Sequence, residues 1–197
     1  MSGPAIGYLR DYVAIPSVNP MGRSDLPEEI VGEAAFAGHL HEQLRGLGVN
    51  AVEVGSGDRP SIIAEVRAAE SGLDTVLVAS HLDTVPVDGM EISPFDPVIE
   101  GGKLHGRGAC DTKAGMAALV AALERVLGRG VLRRNLILVG EADEELGSQG
   151  VRDVLSALGD RRPDWVLATE PTDLRVVHCH KGVVHVRMEA RGHACHA

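Results

Sequence analysis

Four polar motifs, each set just after an apolar run, constrain this chain more than any other feature. They are Ser80-His81-Leu82-Asp83-Thr84-Val85-Pro86, Gly106-Arg107-Gly108-Ala109-Cys110-Asp111-Thr112-Lys113, Glu141-Ala142-Asp143-Glu144-Glu145 and Thr169-Glu170-Pro171-Thr172. Ser61 to Val66, Thr75 to Ala79, Leu136 to Val139 and Trp165 to Ala168 are β-branched or apolar runs of strand length. Val76-Leu77-Val78-Ala79 is apolar on both faces, the pattern of a strand covered by helices.

Helical spacing alternates with these runs. It predicts helices over Pro4 to Ala14, Pro27 to Leu47, Thr112 to Leu127 and Ser148 to Leu158, with a shorter strand at Ala51 to Val54. The helix from Thr112 is apolar nearly all round, which predicts burial. Gly101-Gly102 predicts a small hairpin or loop over Val98 to Leu104. Such alternation points to an α/β layer fold with a mostly parallel sheet. Ligands of such sheets sit beyond the carboxyl ends of the strands, where the four motifs fall.

Composition narrows the function. The chain has 197 residues, 44% of them apolar, so it can build a real core, although aromatics at 3% leave that core to Val, Leu, Ile and Ala. A formal charge of -9 argues against nucleic acid as a partner and suits a protein that binds cations. Cys110, Cys179 and Cys195 form no CxxC pair, the usage of reduced thiols in a cytoplasmic protein. No secretory signal and no run of membrane-spanning length is visible, so no membrane partner is expected.

Each motif has two readings when taken alone. His81 and Asp83, two apart at a strand end, fit a metal ligand with an orienting carboxylate, or a surface turn closed by Asp83 and Pro86. Asp111 fits an ion-binding carboxylate brought close by Gly106 and Gly108, or a helix N-cap. Glu144 and Glu145 fit a division of labour between a proton carrier and a ligand, or a solvated acidic turn. Glu170 fits a ligand at a strand end or an exposed turn residue. His178, Cys179, His180, His185, His193 and His196 make the tail His-rich, but their spacing matches no structural zinc pattern. Cys110 reads as a small apolar residue rather than a nucleophile, and His39 and His41 as helix surface or packing residues.

Taken jointly and in order, these motifs resemble the zinc metallopeptidase and deacylase family of acetylornithine deacetylase, succinyl-diaminopimelate desuccinylase, glutamate carboxypeptidase and aminoacylase. The resemblance runs from Leu9-Arg10-Asp11-Tyr12 through Ile15-Pro16-Ser17 to Gly192-His193-Ala194-Cys195-His196. It implies a three-layer sheet with helices on both faces over residues 1–180. Residues 181–197 would then begin a ferredoxin-like lid or dimerisation domain.

The resemblance also implies roles and cofactors. His81, Asp111, Glu145 and Glu170 would hold two Zn2+ ions, with Co2+ or Mn2+ as possible substitutes and with Asp111 as the bridge. Asp83 would support His81, and the Asp111–Thr112 peptide would be cis. Glu144 would take a proton from the attacking water and pass it to the leaving amine, while His196 would help stabilise the oxyanion. The implied substrates are N-acyl amino acids or small peptides, and the implied assembly a homodimer. Glu170-Pro171-Thr172 and His180-Lys181-Gly182 lean towards deacetylase and desuccinylase chemistry. A carboxypeptidase, a dipeptidase or a silent metal-binding module are the alternatives. Family members continue past the position of Ala197 and supply a last metal-binding histidine there, which implies a fragment or truncated product with little activity alone.

Overall fold

The computed structural model describes residues 3–130, 132–179, 181, 182, 184, 186, 188, 189, 191 and 192. Helix α1 (Pro4–Val13) starts with proline in its first turn, where the missing N–H is no loss, and buries Leu9, Tyr12 and Val13. The expected helix from Pro27 to Leu47 is broken. Its start is a single 3-10 turn, Glu28–Ile30, and α2 (Ala34–Gly46) begins only after Val31 has turned extended. Tertiary pairing overrides the helical spacing here. Val18 bridges both Val31 and Thr84, its N–H bonds to Ile30 O and its carbonyl takes the N–H of Gly32. Gly32 sits at φ +89, a conformation that glycine reaches at little cost.

The remaining elements are β1 (Asn50–Val54), β2 (Ser61–Val66), β3 (Thr75–His81), β4 (Val98–Glu100), β5 (Lys103–His105), α3 (Lys113–Arg129), β6 (Asn135–Glu141), α4 (Gln149–Leu158) and β7 (Trp165–Ala168). The main sheet has the order β1-β2-β6-β3-β7. The pairs β3–β6 and β3–β7 are parallel, while β1–β2 and β2–β6 are antiparallel. The sheet is therefore mixed rather than mostly parallel. Six residues join β1 to β2, too few for the crossover that parallel pairing needs. Apolar runs report burial and carry no direction; the sequence signal for β1 and β2 was the short link from Val54 to Ser61, whereas nothing local sets the direction of β2 against β6.

Two cores flank the sheet and give three layers. On one face α1, α2 and α3 pack Leu9, Tyr12, Phe36, Leu40, Met116 and Val120 against Ile62, Ala64 and Leu138. On the other, Val154 and Leu158 of α4 pack against Ile63, Leu77, Ile137 and Val139. The strict alternation of Ile62 with Ile63 and of Ile137 with Leu138 is the two-residue period of a strand buried on both sides. Helix α3 buries one stripe (Lys113, Met116, Ala117, Val120, Leu123) and exposes Ala118, Ala122 and Arg125, so its apolar outer face comes from alanines at the surface rather than from full burial.

Strands β4 and β5 pair as a hairpin about Gly101 and Gly102, both at positive φ, as a two-residue turn of the right twist demands. Strand β7 is an edge in which Trp165, Val166 and Leu167 are all exposed. No strand is assigned among the described residues after Ala168, and residues 193–197, with His193 and His196, lie outside them.

Candidate metal centre

The carboxyl ends of β3, β6 and β7 point the same way, and the polar motifs gather there. His81 is the last residue of β3, opposite Glu141 at the end of β6. Glu144 and Glu145 follow β6 in a turn, Glu170 follows β7, and Asp111 precedes α3. His81 Nε2 lies 3.0 Å from Asp111 Oδ1. His81, Asp111 and Glu145 offer ligand atoms within 4.8 Å of one another. Glu170 is outside that tight group but within electrostatic reach of His81, Asp111 and Glu144. The Asp111–Thr112 peptide is cis.

His81 is buried, and its Nδ1 is held 2.8 Å from the backbone carbonyl of Asp83. A carbonyl only accepts, so Nδ1 carries the proton and a neutral ring has its lone pair on Nε2, facing Asp111. The Asp83 carboxylate, expected to hold this ring itself, stands 3.5 Å from Nδ1. Its oxygens are engaged elsewhere. Oδ1 accepts the N–H of Glu144 and Oδ2 that of Glu145, each at 3.1 Å, and Oδ2 also accepts Asn19 Nδ2 at 2.8 Å. Asp83 thus joins the histidine to the acidic turn.

The charges are out of balance. Burial is the largest influence on the His81 imidazolium and works against it, yet the nearby charge of the Asp83 carboxylate, the bond to Asp111 and the field of Glu170 win and raise it to about 10. Burial leads the upward shift of Glu145, which Asp111, Asp83 and Glu144 reinforce and His81 opposes. Burial likewise leads at Glu170 and Glu141. One imidazole surrounded by crowded carboxyls is a site that a cation would relax. One histidine nitrogen with carboxylate oxygens suits a borderline divalent ion such as Zn2+.

A pH dependence follows for the protein freed of divalent ions. The folded value of His81 lies above the ordinary 6.5, so its stabilising contribution is complete below about pH 6.5 and is lost as pH rises through about 10. Asp83, Asp111, Glu141, Glu145 and Glu170 are the charged groups that face it. Burial pulls Lys113 down to about 7, which gives an opposite slope at alkaline pH. The measurable quantity is therefore a difference. In EDTA, the urea-unfolding free energy of wild type minus that of His81→Gln should shrink from pH 6 to pH 9.

Several residues around the centre escaped sequence reasoning. Glu33, wholly buried, accepts Arg59 Nε at 2.9 Å and Nη2 at 2.8 Å, and the N–H of Asp143 at 3.0 Å. Arg59 Nη1 reaches Asp143 Oδ1 at 2.9 Å, and the same oxygen takes Asn19 Nδ2 at 3.1 Å. Lys113 Nζ donates to the carbonyls of Tyr12 and Ile15 and lies 4.5 Å from the Phe36 ring centre, tying the start of α3 to the end of α1. Thr112 Oγ1 donates to Thr169 O, and Gly115 leaves room for Thr169, where a Cβ would stand 2.3 Å from Oγ1. These contacts tie the residue after Asp111 to the residue before Glu170. Burial by pairing is the common thread, and no local spacing announces it.

His39 and His41 serve packing and backbone bonding instead: His39 packs edge-on against Tyr12, and His41 Nε2 bonds Ala51 O. Cys110 and Cys179 are exposed. His180, His185, His193 and His196 lie outside the described residues.

Residues 77–196 match the family described as Peptidase family M20/M25/M40. The chain is 34% identical over 181 residues to a succinyl-diaminopimelate desuccinylase of Gluconacetobacter diazotrophicus, covering 87% of this chain and 44% of that protein. It is 40% identical over 141 residues to a succinyl-diaminopimelate desuccinylase of Alkalilimnicola ehrlichii, covering 68% of this chain and 36% of that one. The chain thus spans less than half the length of these curated relatives. Among solved structures it resembles an M20 family metallo-carboxypeptidase, Sso-CP2, from Sulfolobus solfataricus, with a TM-score of 0.73 at 26% identity, over 85% of this chain and 37% of that one. Human carnosine dipeptidase 1 shares the fold, with a TM-score of 0.70 at 24% identity, over 84% of this chain and 38% of that one.

Proposed function

From the premise that the chain belongs to peptidase family M20/M25/M40, we propose that it forms the metal-holding part of a hydrolase that cleaves the amide bond of N-acyl amino acids, with two Zn2+ ions as cofactor. The observation that carries this reading is the convergence of His81 Nε2, Asp111 and Glu145 at the carboxyl ends of parallel strands. His81, Asp111, Glu145 and Glu170 would hold the ions, with Co2+ or Mn2+ able to replace them. When bound, such ions supply Lewis acidity towards the scissile carbonyl and the attacking water.

The chain's own groups do the rest. Asp83 fixes the backbone of both glutamates, so Glu145 faces the centre while the exposed Glu144 reaches the space in front of it. Glu144 accepts the proton of the attacking water at its carboxylate and returns it to the leaving nitrogen. Residues 1–180 make up the metal-binding part in this reading, and 181–197 open the lid domain, with His196 as an oxyanion donor. A homodimeric, cytoplasmic protein is part of the same proposal. Among the described residues, no helix is long and apolar enough to cross a membrane.

The desuccinylase relatives favour succinylated substrates, whereas the carboxypeptidase fold neighbour favours a peptide. The test is to measure Zn2+ uptake by equilibrium dialysis, then hydrolysis of N-succinyl amino acids, N-acetyl amino acids and dipeptides with and without Zn2+. Uptake should be lost in Asp111→Ala, and any turnover should fall with chelator and be highest for the succinyl amides. Faster dipeptide cleavage would favour the peptidase alternative. Zinc retained without hydrolysis of any substrate would point to a silent metal-binding module, and absence of uptake would overturn the reading.

A further inference from the structure

Three successive backbone amides set the turn that carries Glu144 and Glu145. The N–H of Asp143 bonds to Glu33, and those of Glu144 and Glu145 bond to the two oxygens of Asp83. Neither carboxylate belongs to the turn or to its strand. Glu33 comes from the start of α2 and Asp83 from beyond the end of β3.

Among the described residues the two anchors are linked through Asn19, Asp143 and Arg59. Asn19 Nδ2 spans Asp83 and Asp143, while Arg59 lays two nitrogens on Glu33 and a third on Asp143. Three buried carboxylates, Glu33, Asp83 and Asp143, therefore lie around one guanidinium and one amide. Arg59 is delivered by the loop into β2, whose first residue, Ser61, accepts the N–H of Ala142. Its planar fork pairs with both oxygens of Glu33 while a third nitrogen reaches Asp143, a fixed geometry that the point charge of an ammonium does not reproduce.

We propose that Arg59, clamped on Glu33, is a positioning residue for the metal centre: it fixes the 143–145 turn and thereby sets how tightly Glu145 holds a divalent cation. This rests on the reading of Glu145 as a ligand. Arg59 touches neither cation nor substrate and acts through Asp143 and Glu33. Without it, Asp143 and Asp83 face each other across the Asn19 amide alone. Their repulsion then opens the turn on the side of Glu145. Changes behind a metal ligand of this kind typically weaken metal binding by about 10–100-fold.

The test uses the full chain with Co2+ as probe, titrated through its visible absorption, beside hydrogen exchange of the 143–145 amides in EDTA. Arg59→Met should weaken Co2+ binding by about 10–100-fold, alter the absorption spectrum and speed exchange at these amides. Arg59→Lys, which keeps the charge without the fork, should fall between the two. Val154→Ala, on the opposite face of the sheet, should lower the melting temperature while Co2+ affinity stays as in wild type.

Folded Arg59 variants with unchanged affinity, spectrum and exchange would overturn the proposal. So would a Val154→Ala protein that loses Co2+ affinity as much as Arg59→Met does, since affinity would then follow general stability. Should Arg59→Met fail to fold, Arg59→Lys and Glu33→Gln decide by the same readings. Wild type that takes up no Co2+ would instead remove the metal reading. Faster exchange at the three amides in the variants would still support the positioning of the turn.

Discussion

Glu144→Gln is expected to lower the hydrolysis rate about 1,000-fold while Zn2+ uptake stays at the wild-type level. The side chain is exposed, and its backbone N–H, not its carboxylate, makes the bond to Asp83, so the amide can replace the acid without disturbing the turn. What is lost is the ability to accept and return a proton, a function typically worth about 100–10,000-fold. The effect should fall on kcat with KM nearly unchanged. Glu145→Gln should behave oppositely, losing metal first and activity as a consequence. A Glu144→Gln protein within tenfold of wild-type kcat on the preferred substrate would remove Glu144 from the proton-carrying role.

Gly150→Val should destabilise the fold by about 3 kcal/mol or more, at the upper end of overpacking costs. A Cβ on Gly150 would stand 2.3 Å from Ala142 O, 2.4 Å from Ala142 N and 2.7 Å from Ser61 Oγ. Two of these are backbone atoms and cannot rotate away. Gly150 N–H also bonds to Ala142 O, so α4 starts pressed against the residue that leads into the acidic turn. Pushing α4 back should displace that turn and weaken metal binding together with stability. Gly128 in α3, where nothing lies within 4 Å of a Cβ, provides the contrast. Gly128→Ala should be neutral or stabilising, because alanine costs less order in a helix. Urea unfolding of both variants against wild type measures the difference.

Periodicity made much of this architecture readable. The strands at Ser61–Val66 and Thr75–His81 and the helices at Pro4–Val13 and Gln149–Leu158 follow from apolar spacing, caps and breakers. The strand-end position of His81, Glu145 and Glu170 followed from the same reading. What stayed hidden depended on pairing across long distances. Val18 splits the expected 27–47 helix by bridging Val31 and Thr84, which no local pattern foretells. The antiparallel pairing of β2 with β6 was invisible because a buried strand looks alike in either direction, while the six-residue link from Val54 to Ser61 was a readable sign that β1 and β2 run antiparallel. Glu33 and Arg59 are ordinary charged residues 26 positions apart, and only burial turns them into a unit. Asn19 was equally silent, as one amide among many polar loop residues. The link from Nδ1 of His81 to a carbonyl was silent too, because backbone acceptors leave no trace in composition.

In the proposed reading the centre would draw its donors from four separate excursions of the chain, at positions 81, 111, 145 and 170. Between them lie β4, β5, α3, β6, α4 and β7, so these groups become neighbours only when both parallel crossovers have closed. An unfolded chain cannot present this cage, and whatever ion it captures contributes its whole binding free energy to the native state. Occupancy thus acts as a seal on completed assembly: the melting temperature should climb with the logarithm of free ion concentration once the cage is saturated.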